Sequence, residues 1–245
     1  MLSIVIPSRT DEYINRLLES IGRSEPVLDH VVVVDSGLSE VCRARWTSCG
    51  VLFVPARLPF IFSQALNDGV HKAEAVVGCG DVLFLNDDTE IVTPGFCTEI
   101  QRVLATPDLE RFGVVSLRIQ GGCGNEEQQD VLPDTLVTET RRTVCFVAVV
   151  VRRETWTQVG PLDPRFTFYG HDDDDYCRRA RGAGWKVGIT GLVTANHGFP
   201  PYPHSASYAR YHADTLSEDY VRNRQIFLEK YGLEAGDPVT GTRES

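Results

Sequence analysis

Short apolar runs alternate with amphipathic segments through the first third of the chain. The apolar runs predict strands at 2–6, 31–34, 51–54 and 82–85, and the segments between them predict helices near 12–21, 39–48 and 63–76. The run at 31–34 is continuously apolar, which is typical of a strand buried on both faces of a parallel sheet. This alternation predicts a doubly wound sheet with right-handed crossovers.

Further periodic segments follow after residue 88. They predict helices near 94–104, 172–183 and 206–231 and strands at 113–119, 144–151 and 186–189. The glycine-rich segment 120–127 reads as a loop. Because no repeat and no linker interrupts the pattern, we predict one Rossmann-like α/β domain, with a mostly parallel central sheet flanked by helices, over residues 1–235. Residues 236–245 read as a flexible tail.

Composition limits the classes of binding partner and the redox compartment that we expect for the protein. The 245 residues include 24 lysines and arginines against 34 acidic residues, and the net charge of -10 argues against broad attraction to nucleic acid or anionic membrane. The seven cysteines lack CxxC pairing, which favours a reducing compartment over a disulfide framework or a zinc site. The chain opens on a predicted strand and has no apolar stretch of spanning length, so we expect a soluble, cytoplasmic protein.

Two acidic clusters stand where predicted elements end or begin. Asp87 and Asp88 close the strand at 82–85, and the run 172–175 opens a helix. Carboxylates at a strand end suit Mg²⁺ or Mn²⁺, which prefer oxygen ligands and complete their shell with substrate phosphates. Plainer explanations exist for both clusters, because Asn and Asp favour turns and an acidic first turn caps a helix.

Six motifs occur in order along these elements. They are SIVIPS at 3–8, VDSG at 34–37, FSQALNDG at 62–69, FLNDDT at 84–89, GPLD at 160–163 and DDDDYCRR at 172–179. Together they resemble the nucleotide-sugar-dependent glycosyltransferases of the A-type fold, in the large inverting family that includes rhamnosyltransferases and polysaccharide synthases. The resemblance covers roughly residues 2–197. It implies a nucleotide-sugar-binding half at 1–90, an acceptor-side half at 91–205 and a C-terminal helix at 206–235.

The resemblance also implies which residues hold the donor. We expect contacts to the nucleotide from two strand ends, to the diphosphate from the helix at 63–76, and to ribose or sugar hydroxyls from the first acidic cluster. The residues in these roles are, in chain order, Pro7, Ser8, Arg9, Asp35, Asn67, Gly69 and Asp87.

The metal ligand and the base are expected in the acidic clusters. Asp88 matches the metal-binding carboxylate of the family, and His197, after the strand at 186–189, is a second candidate ligand. Aligning backwards from Cys177 places Asp173 at the catalytic base, with Asp172 as the alternative. Adjacent carboxylates repel one another, which predicts a raised pKa suited to a base near neutral pH. The cluster departs from the family pattern, because Asp172 stands where a glutamate is common.

The resulting prediction is a metal-dependent, inverting glycosyltransferase that moves a hexose or deoxyhexose. The donor is a UDP-sugar first, with dTDP- and GDP-sugars open, and the acceptor hydroxyl belongs to a glycan or a lipid-linked saccharide. Three alternatives stay open: transfer to a modified base in nucleic acid, nucleotidyl transfer, and a noncatalytic sugar-binding module. The first would need four arginines to gather near the site, namely Arg141, Arg142, Arg152 and Arg153.

Overall fold

The computed structural model describes most of the chain. It describes residues 2–25, 27–78, 80–123, 125–167, 170–199, 202–203 and 216–233. The first part of the predicted helix, at 206–215, and the whole predicted tail at 236–245 lie outside these residues.

The observed strands and helices largely coincide with the segments that the apolar pattern predicts. The strands are β1 (Leu2–Ser8), β2 (Val31–Asp35), β3 (Leu52–Pro55), β4 (Asp81–Leu85), β5 (Thr89–Ile91), β6 (Phe112–Gln120), β7 (Thr138–Glu139), β8 (Ala148–Val151), β9 (Lys186–Phe199) and β10 (Tyr202–Pro203). The helices are α1 (Asp11–Ser24), α2 (Glu40–Thr47), α3 (Phe62–Val76), α4 (Phe96–Ala105), α5 (Glu127–Asp130), α6 (Arg153–Val159), α7 (Asp172–Gly182) and α8 (Leu216–Tyr231), with a 3-10 turn at Pro107–Leu109.

The first four strands form the predicted parallel half of the sheet. Their spatial order is β3-β2-β1-β4, and every pairing among them is parallel. β1 is buried along its whole length, as expected of a strand covered by helices on both faces. The carboxyl ends of these strands therefore meet along one edge of the sheet.

The second half of the sheet is mixed. β8 lies between β4 and β6 and runs antiparallel to both, so β4 and β6 point the same way. β9 is parallel to β6 but pairs antiparallel with β5, β7 and β10. Every pairing from β3 to β4 is parallel, and beyond β4 parallel and antiparallel pairings are mixed. The physical reason is the long segment between β6 and β8, which returns the chain in the opposite direction without a crossover helix.

Two predicted strands have different bounds in the structure. The strand expected at 144–151 begins only at Ala148, because residues 146–147 form a turn and the Cys145 amide donates to the Gln128 side chain instead of to a neighbouring strand. The strand expected at 186–189 continues to Phe199, so His197 lies within β9 and not after it.

Helices cover both faces of the sheet. α1 and α4 pack on one face, and α3, α6 and α7 pack on the other. Gly69 lets α3 approach closely, since a Cβ at this position would lie 2.3 Å from Val5 Cγ1 and 3.0 Å from Val34 Cγ2. Among the described residues, no helix combines the length and the apolar character that a bilayer span requires.

Candidate active site

The carboxyl edge of the parallel strands joins Ser8 to Asp87. The Ser8 hydroxyl, at the end of β1, donates a hydrogen bond to Asp87 Oδ2 at 2.7 Å. The backbone of Arg9 also hydrogen-bonds this carboxylate, while the Arg9 side chain is exposed. Burial, and then the negative charge of Asp88, raise the pKa of Asp87 to about 7. Pro7 is buried within β1. The end of β1 therefore brings Ser8 and the Arg9 backbone to Asp87.

Asp88 and His197 face each other across the pairing of β5 with β9. Thr89 is the register partner of His197, and the Gly198 amide donates to the Asp88 carbonyl at 2.7 Å. This pairing places His197 Nε2 3.5 Å from Asp88 Oδ1. Both side chains are buried, with exposed fractions of 2% for His197 and 12% for Asp88.

The glycine-rich loop orients the His197 ring. His197 Nδ1 lies 2.6 Å from the Gly122 carbonyl oxygen, an acceptor, so Nδ1 carries the proton and Nε2 faces Asp88. Burial disfavours the charged imidazole, but the hydrogen bond and the negative charge of Asp88 outweigh it, and the pKa of His197 is raised. A Cβ on Gly121 would lie 2.3 Å from the His197 carbonyl oxygen, which explains this glycine.

The Asp88 and His197 pair fits a divalent cation that is shared with a substrate. No group of three or more His, Cys, Asp or Glu side chains with metal-binding geometry occurs in the part of the chain that the structure describes. A two-residue donor set of one carboxylate and one imidazole suits Mn²⁺, whose remaining ligands would be phosphate oxygens and water. The Gly122 carbonyl holds the His197 ring through its other nitrogen, as is usual behind a metal-bound imidazole.

Asp35 lies at the carboxyl end of β2. Its Oδ1 accepts from the amides of Gly37 at 2.8 Å and Leu38 at 2.7 Å, and its Oδ2 accepts from Arg43 at 2.8 Å. Burial opposes ionisation, but these hydrogen bonds outweigh it, and the pKa of Asp35 is lowered. Asp35 is thus a rigid, ionised acceptor at the sheet edge.

Asn67 and Gly69 have structural roles that the nucleotide-contact prediction did not foresee. The Asn67 amide group donates to the Leu162 carbonyl at 2.8 Å and accepts from the Leu162 amide at 2.9 Å. Asn67 therefore ties α3 to the segment before α7. Gly69 lies against Val5 and Val34, so packing accounts for it.

The predicted base lies in the first turn of α7. Asp173 Oδ1 accepts from the Asp174 amide at 2.9 Å. Burial, followed by the charges of Asp174 and Asp172, raises the pKa of Asp173 well above the ordinary carboxyl value. Burial also raises the pKa of Asp172 to about 6. Neither residue forms an ion pair with a basic side chain among the described residues, which leaves both suited to accept a proton.

The other two carboxylates of the cluster stabilise the helix. Asp174 Oδ2 lies 2.9 Å from His171 Nδ1. Asp175 is fully buried and is bound by Arg179 at 2.8 Å, by Lys230 at 2.6 Å and by the Tyr231 hydroxyl at 2.7 Å. The run of four aspartates thus divides into two structural residues and two candidates for chemistry, a division that the sequence pattern alone did not indicate.

The arginines required by the nucleic-acid alternative do not gather at this edge. Arg152 donates to the carbonyls of Phe112, Leu104 and Leu109, at the amino end of β6. Arg153 pairs with Glu74, and its amide donates to Asp81 at the start of β4. Both arginines therefore lie at the edge of the sheet opposite Asp88.

Sequence comparison identifies one distant relative. No protein-family model matches the chain. The uncharacterized protein y4gI of Sinorhizobium fredii (strain NBRC 101917 / NGR234) is 24% identical over 264 residues, covering 91% of this chain and 27% of that protein. The chain therefore spans about a quarter of the length of this relative.

Structural comparison establishes the fold. GalNAc-T7, solved with UDP, GalNAc and Mn²⁺, superposes with a TM-score of 0.68 at 13% identity over 95% of this chain and 49% of its own. The mannosyltransferase PcManGT from Pyrobaculum calidifontis, in complex with GDP-Man and Mn²⁺, superposes with a TM-score of 0.61 at 15% identity. The match covers 97% of this chain and 76% of the mannosyltransferase chain. S. aureus TarS 1-349 superposes with a TM-score of 0.58 at 14% identity, covering 94% of this chain and 73% of the TarS chain. The predicted A-type α/β fold is confirmed.

Proposed function

We propose that the chain is a metal-dependent glycosyltransferase that moves a sugar from a nucleoside diphosphate to an acceptor hydroxyl. The observation that carries this proposal is the approach of His197 Nε2 to Asp88 Oδ1, at 3.5 Å, beside Asp87 at the carboxyl end of β4. Open α/β sheets bind ligands at this edge. The structural neighbours with UDP or GDP-Man and Mn²⁺ support a donor of the same class.

The donor is assigned to the strand ends of the parallel half. Asp88 and His197 would hold Mn²⁺ or Mg²⁺, which when bound neutralises the charge of the diphosphate leaving group. Ser8, Arg9 and Asp35 border the place for the nucleoside, and Asp35 is ionised and ready to accept a hydrogen bond from a base. UDP-sugars are the first donors to test, followed by dTDP- and GDP-sugars.

Asp173 is assigned as the base, with Asp172 as the alternative. The acceptor hydroxyl oxygen forms a bond to the anomeric carbon, the bond from that carbon to the diphosphate oxygen breaks, and the hydroxyl proton passes to Asp173. Its raised pKa makes this carboxylate a stronger base than an exposed aspartate. Attack from the face opposite the diphosphate inverts the anomeric configuration. The proposed acceptor is a glycan or a lipid-linked saccharide.

Donor binding and turnover test this proposal together. The protein is screened with UDP-, dTDP- and GDP-sugars for Mn²⁺-dependent thermal stabilisation and for slow hydrolysis of the donor, because ligand binding stabilises a protein by mass action. We expect Asp88→Asn to lose the stabilisation, and Asp173→Asn to keep it while losing turnover. Asp108→Asn, at an exposed position before β6, is the matched control. Wild-type protein that responds to no nucleotide sugar in the presence of Mn²⁺ contradicts the proposal.

A further inference from the structure

Arg118 is a basic residue near the carboxyl end of β6 that the proposed chemistry does not use. Its side chain is half-buried, and its Nε atom is buried without a hydrogen-bond partner. Within the described residues, no carboxylate forms an ion pair with its guanidinium. A buried nitrogen of a charged group that has no hydrogen-bond partner has lost its hydration without compensation, which is costly.

The alternation of β6 places Arg118 on the face of the sheet that α7 covers. Val114 packs in the same cluster as Tyr176 and Cys177 of α7, whereas Leu117 packs in the cluster on the other face. Successive side chains of a strand point to opposite faces, so Arg118 shares the face of Val114.

The lengths of the elements bring Arg118 and the proposed base to the same end of this face. Phe112, the first residue of β6, pairs with Lys186, which follows the end of α7 by four positions. From there β6 rises about 20 Å to Arg118. α7, running the other way, spans about 16 Å from its last residue to Asp172. These lengths place Arg118 and the first turn of α7, which carries Asp172 and Asp173, toward the same end of this face.

Arg118 also lies on the edge of the sheet that carries the proposed metal site. β4 and β6 point the same way and are separated only by β8, so their carboxyl ends are about 10 Å apart. An acidic edge holding Asp87, Asp88, Asp172 and Asp173 would repel an anionic substrate unless a fixed cation faced it.

We propose that Arg118 binds an oxyanion, phosphate or carboxylate, carried by the acceptor substrate. This inference rests on the proposed function, because it places the oxyanion on the Asp173 side of the cleft. It defines the acceptor class as acidic, namely a phosphorylated saccharide or one that contains a uronic acid. A guanidinium presents paired donors that match either oxyanion.

Calorimetric titration with inorganic phosphate and with acetate tests the inference on wild type, Arg118→Met and Arg118→Lys. The titrations are made with the nucleotide site filled by UDP and Mg²⁺, and UDP and uridine are titrated separately. We expect Arg118→Met to weaken phosphate or acetate binding by roughly tenfold to a hundredfold, with UDP affinity unchanged. Arg118→Lys should retain part of the affinity. Arg102→Met, on α4 on the other face, is the matched control and should bind as wild type.

Each other outcome is decisive. Loss of UDP affinity in Arg118→Met, with uridine binding unchanged, overturns the assignment to the acceptor and moves the oxyanion to the donor diphosphate. Equal binding of every probe by wild type and Arg118→Met overturns the inference while leaving the proposed function intact. A wild-type protein that binds phosphate but no nucleotide contradicts the proposed function and not the oxyanion site.

Thermal melting of the ligand-free variants separates binding from a structural role. Because Arg118 has no hydrogen-bond or ion-pair partner among the residues that the structure describes, Arg118→Met should melt at or above the wild-type temperature. A decrease of several degrees would overturn the inference in favour of a structural arginine.

Discussion

His197 Nε2 lies 3.5 Å from Asp88 Oδ1, with the other ring nitrogen held by the Gly122 carbonyl. Three separate segments of the chain therefore build this pair: the turn after β4, the glycine-rich loop after β6 and the late part of β9. The short ladder between β5 and β9 connects the first and the last of them. Any change that shifts this ladder should shift the proposed metal site with it.

Metal affinity should fall as the pH is lowered. The pKa of His197 is raised, and a metal binds only the deprotonated ring, so protons compete for Nε2 below that pKa. We expect the Mn²⁺ dissociation constant, measured without nucleotide by calorimetry, to rise between about pH 8 and about pH 6. In His197→Gln the affinity should be roughly tenfold weaker or more and should depend less on pH. A pH profile identical in the two proteins would remove His197 from the site.

Gly69 should not accept a side chain. Gly69→Ala would place a Cβ 2.3 Å from Val5 Cγ1, in the contact between α3 and the sheet. We expect a loss of about 1 to 3 kcal/mol in the free energy of unfolding, measured by urea denaturation. Gly22→Ala is the matched control, since a Cβ there meets nothing within 4 Å, and it should stabilise α1 by about 0.5 to 1 kcal/mol. Equal effects of the two changes would show that α3 does not pack as described.

Asn67 should contribute to stability through Leu162. Asn67→Ala removes both hydrogen bonds to the backbone of Leu162, a residue that is fully buried in the wild type. The expected loss is about 2 to 4 kcal/mol in the free energy of unfolding. Asn67→Asp keeps the acceptor but not the donor and should lose less. Gln101→Ala, at an exposed position of α4, serves as control. If Asn67→Ala loses no more unfolding free energy than this control, the hydrogen bonds between Asn67 and Leu162 do not stabilise the fold.

Lys230 should contribute more to the free energy of unfolding at neutral pH than at acidic pH. Its ammonium group lies 2.7 Å from Asp163 Oδ2 and 2.6 Å from Asp175 Oδ1. Lys230→Met leaves these carboxylates without that charge, and we expect a loss of about 2 to 4 kcal/mol in the free energy of unfolding at neutral pH. Lys186→Met, which removes an exposed ion pair, should lose less than about 1 kcal/mol.

The pH dependence of the Lys230 effect has a defined sign. Burial works against ionisation of Asp163, but Arg165 and Lys230 outweigh it and hold the pKa of Asp163 far below its usual range. The stabilisation is therefore complete above the unfolded-state pKa, about 3.9, and is lost as the pH falls toward the folded-state pKa. Urea denaturation of both proteins should show the difference between wild type and Lys230→Met shrinking below about pH 4. A difference that stays constant with pH would contradict this account.

The local hydrophobic pattern was sufficient to predict the strands and helices of the parallel half of the sheet. β1, β2 and β4 are apolar runs long enough for a buried strand, and α1 and α3 each have an apolar stripe, so the burial of these segments follows from their own residues. β3, at the end of the sheet, is only half-buried. The placement of Asp35, Asp87 and Asp88 at one edge follows as well, because parallel strands bring their carboxyl ends together. The fold class and the edge at which the candidate site lies therefore follow from the residue pattern alone.

Long-range contacts decided the rest. The direction of β8, the continuation of β9 through His197 and the pairing of Asp175 with Lys230 and Tyr231 all join segments that are distant in the chain. Local hydrophobic periodicity carries no information on which strand pairs with which, or on which of four adjacent carboxylates meets a cation. Tertiary contacts brought His197 to Asp88 and tied Asn67 to Leu162, and they left the buried Nε atom of Arg118 without a hydrogen-bond partner in the described part of the chain.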